Sequence, residues 1–393
     1  MKLQKQSEMQ DFFDALGIDE NIFEQMAETF TSNFMIEGKT TTDLNEMLSR
    51  APESLLDVIL ETWEEEAPKL RAEKEKYVQE LILTSFQNEF IYLDKFDMET
   101  MLRTMNGYPL SQMQMLALEE NYCKKGWVFM FCDVDGVQFV VPDEIREFTI
   151  TNLETDKVQN ILGLIAAVRL SMRACLNLFG IVERAKVEDI ALNQMLEYPS
   201  LSEEERKELE WLPEKLKETV DILCERADGP FWCDKQWIIS EQFENEKEYR
   251  KFLRQVSGQE YYIPNQKEIK LYAENLVDVK NPFYKKILAD LTHLMKNKTR
   301  ADNLMLEYKV TEEDLNAAGI MNLLFERYVE FPNRTRGNHF VENCSEWVYS
   351  VRKWSNRGFT DRELGKEKII PSEIGLPEIS NQVTKKKIGR NDP

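Results

Sequence analysis

Between residues 127 and 141 the hydrophobic period of this chain changes. Trp127-Val128-Phe129-Met130-Phe131-Cys132 is a continuous apolar run, and Val137-Gln138-Phe139-Val140-Val141 follows it across Asp133-Val134-Asp135-Gly136. Asp-Gly between two β-rich runs is a strong hairpin signal, because the tight turn needs left-handed dihedrals that these two residues tolerate. Pro142 closes the second run, since proline has no N–H to give to a ladder. The segments leading up to this pattern repeat at helical spacing. A small hairpin must therefore be built into a largely helical protein.

The segments before it read as helices. In residues 8–68, Met9, Phe12, Phe13 and Leu16, then Ile22, Phe23 and Met26, fall at helical spacing. Thr42-Asp43 caps a helix beginning at Leu44. Pro52 stands in the first turn of another, which carries Leu55, Leu56, Ile59 and Leu60 on one side. A long helix is expected over 70–93, a second over 97–105 that stops at Asn106-Gly107, and a third over 113–124 capped by Ser111. Three helices followed by a two-stranded hairpin is the order of a winged helix.

The same order recurs. A helix over 158–179 is broken by Phe179-Gly180-Ile181-Val182, and helices over 186–196 and 203–224 follow. Two aromatic-rich extended runs come next, at 231–239 and 260–263. Val140-Val141-Pro142-Asp143-Glu144-Ile145 and Tyr262-Ile263-Pro264-Asn265-Gln266-Lys267-Glu268-Ile269 both run from β through proline and a polar step to Glu-Ile. This reads as an internal duplication with a divergent second copy. Residues 267–336 are helical again, interrupted at Asn281-Pro282, with Thr311 capping the next helix. A last helix spans 341–354. The expected fold is mainly α with small β hairpins, an α+β chain of tandem winged-helix-like modules flanked by helical regions. Its parts are an acidic helical region at 1–68, module 1 at 69–150, module 2 at 151–266, a helical region at 267–364 and a linker at 365–393.

Charge narrows the partners. The chain has 393 residues and a formal net charge of −21. Residues 1–68 alone hold 16 acids against 4 bases. Nucleic-acid affinity comes mostly from Lys and Arg meeting phosphates, so an acidic chain disfavours that partner unless it segregates a basic face. In the third helix of module 1 the bases are Lys124 and Lys125, preceded by Glu119 and Glu120. The six cysteines form no Cys-x-x-Cys pair and sit mostly in apolar runs, which suits buried free thiols and a reducing, cytoplasmic compartment. The most apolar stretch, 161–168, is interrupted by Arg169 and Arg173, so no membrane partner is expected.

Catalytic patterns are missing from the sequence: no Gly-rich phosphate loop, no His-Glu-x-x-His and no Gly-x-Ser-x-Gly. His339 and Cys344 lie close in sequence, but zinc needs at least three well-placed ligands. Asp133 and Asp135 suit a hairpin turn as well as a metal. Glu64-Glu65-Glu66 and Glu203-Glu204-Glu205 suit solvated faces as well as a basic partner. The densest basic set comprises Arg334, Arg336, Arg352, Lys353 and Arg357, with Trp347, Trp354, Asn333 and Asn356 among them. Arginine beside aromatics and amides suits phosphate, base or carboxylate contact. The alternative is a packed helix with snorkelling cations. Asn333, Arg334, Arg336, Trp347, Arg352, Trp354, Asn356 and Arg357 are the candidate partner-binding residues.

The end of the chain carries a family resemblance. Lys385-Lys386-Lys387-Ile388-Gly389-Arg390-Asn391-Asp392-Pro393 resembles the lead-in to a SEC-C motif, a small zinc-binding tail of many bacterial proteins. Gly126-Trp127-Val128-Phe129 with Val141-Pro142-Asp143-Glu144-Ile145 resembles the wing of the multi-domain SEC-C proteins of low-GC Gram-positive bacteria. Ser54-Leu55-Leu56-Asp57-Val58-Ile59-Leu60 resembles their region similar to the N-terminal domain of the terminator Rho, and Leu178-Phe179-Gly180-Ile181-Val182 a junction in their second module. Asn333-Arg334-Thr335-Arg336 and Asn356-Arg357-Gly358-Phe359-Thr360 resemble polar motifs just upstream of the tail. The resemblance implies zinc-binding cysteine pairs beyond Pro393, where 365–393 would be the linker to them. It implies no cofactor and no catalytic residue within these 393 residues. The function expected from all this is a non-enzymatic, cytoplasmic protein-binding adaptor or scaffold. The alternatives are a nucleic-acid-binding regulator that uses winged-helix modules and a metal-dependent hydrolase.

Overall fold

The computed structural model describes residues 34–66, 68–133, 136–196, 211–226, 229–310, 317–327 and 331–368. The helices expected within 8–33 and 203–210, the cap at Thr311 and the tail 369–393 lie outside the described residues. The protein is mainly helical with two small sheets. Its contacts divide it into two compact units, Met1–Gly163 and Leu164–Pro393.

Unit 1 opens with strand β1 (Met35–Glu37). Helix α1 (Leu44–Arg50) follows, capped by Asp43, whose carboxylate accepts from Glu46 N at 2.7 Å. Helix α2 (Glu53–Thr62) starts behind Pro52 and buries Leu55, Leu56, Ile59 and Leu60. Helix α3 (Arg71–Glu89) presents Val78, Ile82 and Phe86 at four-residue spacing. Its first residue, Arg71, donates to the carbonyls of Leu48 and Ala51, groups that the end of α1 leaves without helical partners. Helices α4 (Lys95–Met105) and α5 (Gln112–Ala117) both begin in capping boxes, Asp94 with Asp97 and Ser111 with Gln114. A π-helical turn, Leu118–Cys123, extends α5.

The expected hairpin is present as β2 (Phe129–Asp133) and β3 (Gly136–Val140), running from Phe129↔Val140 to Asp133↔Gly136. A strand that the sequence pattern did not reveal joins it. β1 lies parallel to β2, with Met35↔Met130 and Glu37↔Cys132, so the sheet order is β1-β2-β3. Helix α6 (Asp143–Leu153) closes the unit, starting after Pro142. Residues 34–60 and 78–145 share one core around Trp127, so the described part of the region expected at 1–68 and the module expected at 69–150 are one body. Trp127 is fully buried, donates Nε1–H to Ser85 Oγ at 3.2 Å and meets the Phe86 ring edge-on.

Helix α7 (Asp156–Phe179) begins in unit 1 and runs into unit 2. By length and composition alone α7 is long and apolar enough to cross a membrane, but half of its most apolar window is buried inside the protein. Gly180 ends α7 at φ +68°, a left-handed value that costs glycine little. Strand β4 (Ile181–Glu183) and helices α8 (Arg184–Leu196) and α9 (Leu212–Arg226) follow.

The second pair of extended runs is arranged differently from expectation. The run 231–239 folds back on itself as β5 (Phe231–Cys233) and β6 (Trp237–Ser240), in a sheet of order β4-β6-β5. Asp234 turns the chain, because its carboxylate accepts from the backbone N–H of both Gln236 and Trp237 at 2.8 Å. Residues 260–263 lie in no ladder, and Tyr262 N donates instead to Arg357 O at 2.9 Å. The repeated proline string therefore marks two helix starts. Pro142 precedes α6, which buries Ile145. Pro264 precedes the capping box of Asn265 with Glu268, where Ile269 is buried.

Helices α10 (Glu246–Gln255), α11 (Gln266–Glu274), α12 (Pro282–Met295), α13 (Lys298–Val310), α14 (Ala317–Glu326) and α15 (Arg334–Ser350) complete the described part of unit 2. The last helix begins at Arg334 rather than 341, because Asn333 caps it by accepting from Arg336 N at 2.9 Å.

Candidate functional site

The basic set picked from the sequence does not form one surface. Asn333 and Arg334 are exposed at the start of α15, and Arg336 lies 3.7 Å from Asp290. Trp347 is buried against Tyr284 in the core of α12–α15. Trp354, Asn356 and Arg357 are also interior, so Trp347, Asn356 and Arg357 present no surface to a partner, while Trp354 reaches the surface only as part of a cleft wall.

What holds them inside is a knot of ion pairs in residues 352–366. The Arg352 guanidinium lies 3.4 Å from the Tyr262 ring centroid and donates to Glu268 at 2.7 Å and Glu363 at 3.1 Å. Lys353 pairs with Asp361, which also accepts from Asn356 Nδ2 at 2.8 Å. Arg357 donates to Ile181 O at 3.0 Å and sits 4.4 Å from the Tyr261 ring. Burial alone would raise the Glu268 carboxyl. The Tyr262 hydroxyl, the Asn265 N–H and Arg352 outweigh it and hold it below the usual range. Asp361 is held low in the same way by Lys353 and Asn356 against its own burial. The buried Arg357 loses part of its preference for charge to desolvation.

Trp354 connects this knot to a cleft. Its indole N–H donates to Asn177 O at 2.9 Å, its ring stacks on Phe243, and it lines a cleft of about 430 Å3. Arg169, Met172, Arg173 and Leu176 line it from α7. Their spacing is i, i+3, i+4, i+7, one face of a helix. Leu223, Phe231 and Leu276 add apolar surface, and Ser240 and Gln242 add polar atoms. Ser240 Oγ accepts from Gln242 N at 3.4 Å. Volumes of this size suit a small ligand or a short peptide segment. Apolar surface with the exposed Arg173 guanidinium along one edge, Glu241 also standing in the lining, suits an apolar group attached to a carboxylate. The signal for this site was present in the sequence. Two arginines one turn apart, Arg169 and Arg173, interrupt a largely apolar helix.

The remaining sequence candidates are apart. His339 is exposed and meets Glu342 at 3.2 Å, whereas Cys344 is buried in the core. Asp133 ends β2, and Asp135 lies outside the described residues, as do Glu203, Glu204 and Glu205. Glu64, Glu65 and Glu66 are exposed, and Glu65 accepts from the Tyr77 hydroxyl at 2.7 Å. No group of three or more His, Cys, Asp or Glu side chains suited to a metal occurs among the described residues. No family model, no curated protein and no solved structure matches the chain.

Proposed function

We propose that this chain is a non-enzymatic protein-binding adaptor, and that the cleft of unit 2 receives a short partner segment with an apolar side chain beside a carboxylate. One observation carries the reading: the exposed Arg173 shares a helix face with Met172 and Leu176 in a cleft of about 430 Å3. The preference for protein over nucleic acid draws on charge already neutralised inside the molecule. Lys124 is paired with Glu120, Lys125 with Glu89, and Arg352 with Glu268 and Glu363. The overall charge of −21 points the same way. The winged-helix-like layout, the cytoplasmic setting and a zinc-binding SEC-C tail as a second contact belong to this proposal too. They are supported by the helices preceding β2–β3 and by the string at 385–393.

A labelled acetyl-Leu-Glu-Phe-Asp peptide tests the cleft by fluorescence anisotropy, with acetyl-Leu-Lys-Phe-Lys as the control. The acidic peptide is expected to bind and the basic one not. Arg173→Glu should weaken binding by about tenfold or more, since a charge-assisted hydrogen bond contributes roughly 1.5–3 kcal/mol. Equal binding of both peptides would overturn the reading. So would tight, salt-sensitive binding of random duplex DNA.

A further inference from the structure

The cleft of unit 2 has a chemically matched segment within its own chain. Residues 369–384 read Ile-Ile-Pro-Ser-Glu-Ile-Gly-Leu-Pro-Glu-Ile-Ser-Asn-Gln-Val-Thr and lie outside the described residues. They hold six Ile, Leu and Val residues, two glutamates, and no lysine or arginine. Side chains alternate along an extended chain, so Ile374, Leu376 and Glu378 can share one side of it. That side offers two apolar groups followed by a carboxylate. Pro371 and Pro377 stand in the same stretch, and proline leaves less backbone freedom to lose on docking.

We propose that segment 374–378 docks in this cleft in cis. Leu376 enters the apolar part, beside Met172 and Leu276, and the Glu378 carboxylate meets the exposed Arg173. The inference rests on the cleft reading above and names the chain's own tail as the resident occupant, with which any outside segment must compete. Charge complementarity selects this stretch. Lys368 precedes it and Lys385 to Lys387 follow it, but between them the only charged side chains are Glu373 and Glu378. Arg173 is an exposed cation of the lining, and arginine holds a carboxylate through two parallel N–H donors. Glu241 also stands in the lining, so the site favours one carboxylate over a run of acids.

The tether is long enough. Lys368, the last described residue before the segment, is ion-paired with Glu346 on α15. Trp354, in the cleft wall, follows Glu346 by four helical steps and four more, so the two are at most about 20 Å apart. From Lys368 to Leu376 the chain can span about 26–29 Å, which exceeds that separation. So short a tether gives an effective concentration of about 1 mM. With an intrinsic Kd of about 0.1 mM, the segment fills roughly nine-tenths of the clefts and weakens a competing peptide about tenfold.

The test uses the full-length chain. Leu376→p-benzoylphenylalanine, mixed in equal parts as light and isotope-heavy protein, is irradiated and digested for mass spectrometry. The expected product joins residue 376 to a peptide containing Met172 or Leu276, light to light and heavy to heavy. Arg173→Glu should lower its yield several-fold. In fluorescence anisotropy, Leu376→Asp combined with Glu378→Lys should bind the labelled acetyl-Leu-Glu-Phe-Asp peptide about tenfold more tightly than the parent chain. Light-to-heavy products would assign the segment to a second copy and overturn the proposal. Equal peptide binding by parent and variant would overturn it alone and leave the cleft reading standing. No peptide binding by either would overturn both.

Discussion

Substituting Gly180 with alanine tests how tightly the cleft wall is held. Gly180 sits at φ +68° between α7 and β4, and Gly258, after α10, sits at φ +76°. Alanine in the left-handed region costs about 1–2 kcal/mol at either position. The surroundings differ. A Cβ at Gly258 meets nothing within 4 Å, whereas one at Gly180 would lie 2.7 Å from Cδ2 and Cε3 of Trp354 and 3.2 Å from Phe243. The indole cannot swing aside, because its N–H is tied to Asn177 O and its ring is stacked on Phe243. Overpacking of this kind costs a further ~1–3 kcal/mol. Gly180→Ala should therefore destabilise unit 2 by about 2–5 kcal/mol and Gly258→Ala by about 1–2 kcal/mol. The assay is urea unfolding of the full chain, followed by hydrogen exchange in peptides covering 181–196. The Gly180 variant should also weaken the acidic peptide, because displacing Trp354 reshapes the cleft. Equal destabilisation of the two variants would refute the argument that Trp354 is pinned.

Two further predictions concern the polar groups that hold each unit. Asp361 has its acidity shifted downward in the folded protein, so the stability it contributes is present above the ordinary carboxylate pKa and is lost as pH falls through the lower folded value. The gap in urea midpoint between the parent chain and Asp361→Asn should stay constant at neutral pH and shrink below about pH 4. A gap that widened on acidification would contradict the assignment. In unit 1, Ser85→Ala leaves the Trp127 indole N–H without its acceptor in the core and should cost about 1–3 kcal/mol in urea unfolding. The exposed Ser49→Ala should stay within about 0.5 kcal/mol, and a Ser85 change that small would count against the hydrogen bond.

Local signals in the sequence located many of the helix starts and the first hairpin. Asp43, Pro52 and Ser111 stand where the sequence places a helix start, whereas Asp94 and Asn265 start helices a few residues from the expected positions and Asn281, expected as an interruption, caps α12. The β2–β3 hairpin was legible because Asp-Gly between two β-rich runs is a turn signal. Strands β1 and β4 were not, because three residues are too few to establish a period of two, and both are completed by partners far along the chain. The fate of the basic set was hidden for a related reason. Whether an arginine faces solvent or the interior depends on its counterpart, and Arg352 finds Glu268 while Arg357 finds Ile181 O, neither of them a sequence neighbour. The cleft likewise joins α7 to segments near 230, 240, 276 and 354, a combination no window of sequence displays.

The parallel pairing of β1 with β2 sets a schedule for the newborn chain. Met35 leaves the ribosome long before Met130, its ladder partner, has been added. At usual elongation speeds that interval is roughly 5–20 s, during which the Met-Ile-Glu segment has no companion strand from its own molecule. A bare, partly apolar backbone edge invites other chains to pair with it. Slowing translation between these two points should therefore raise the fraction lost to aggregates.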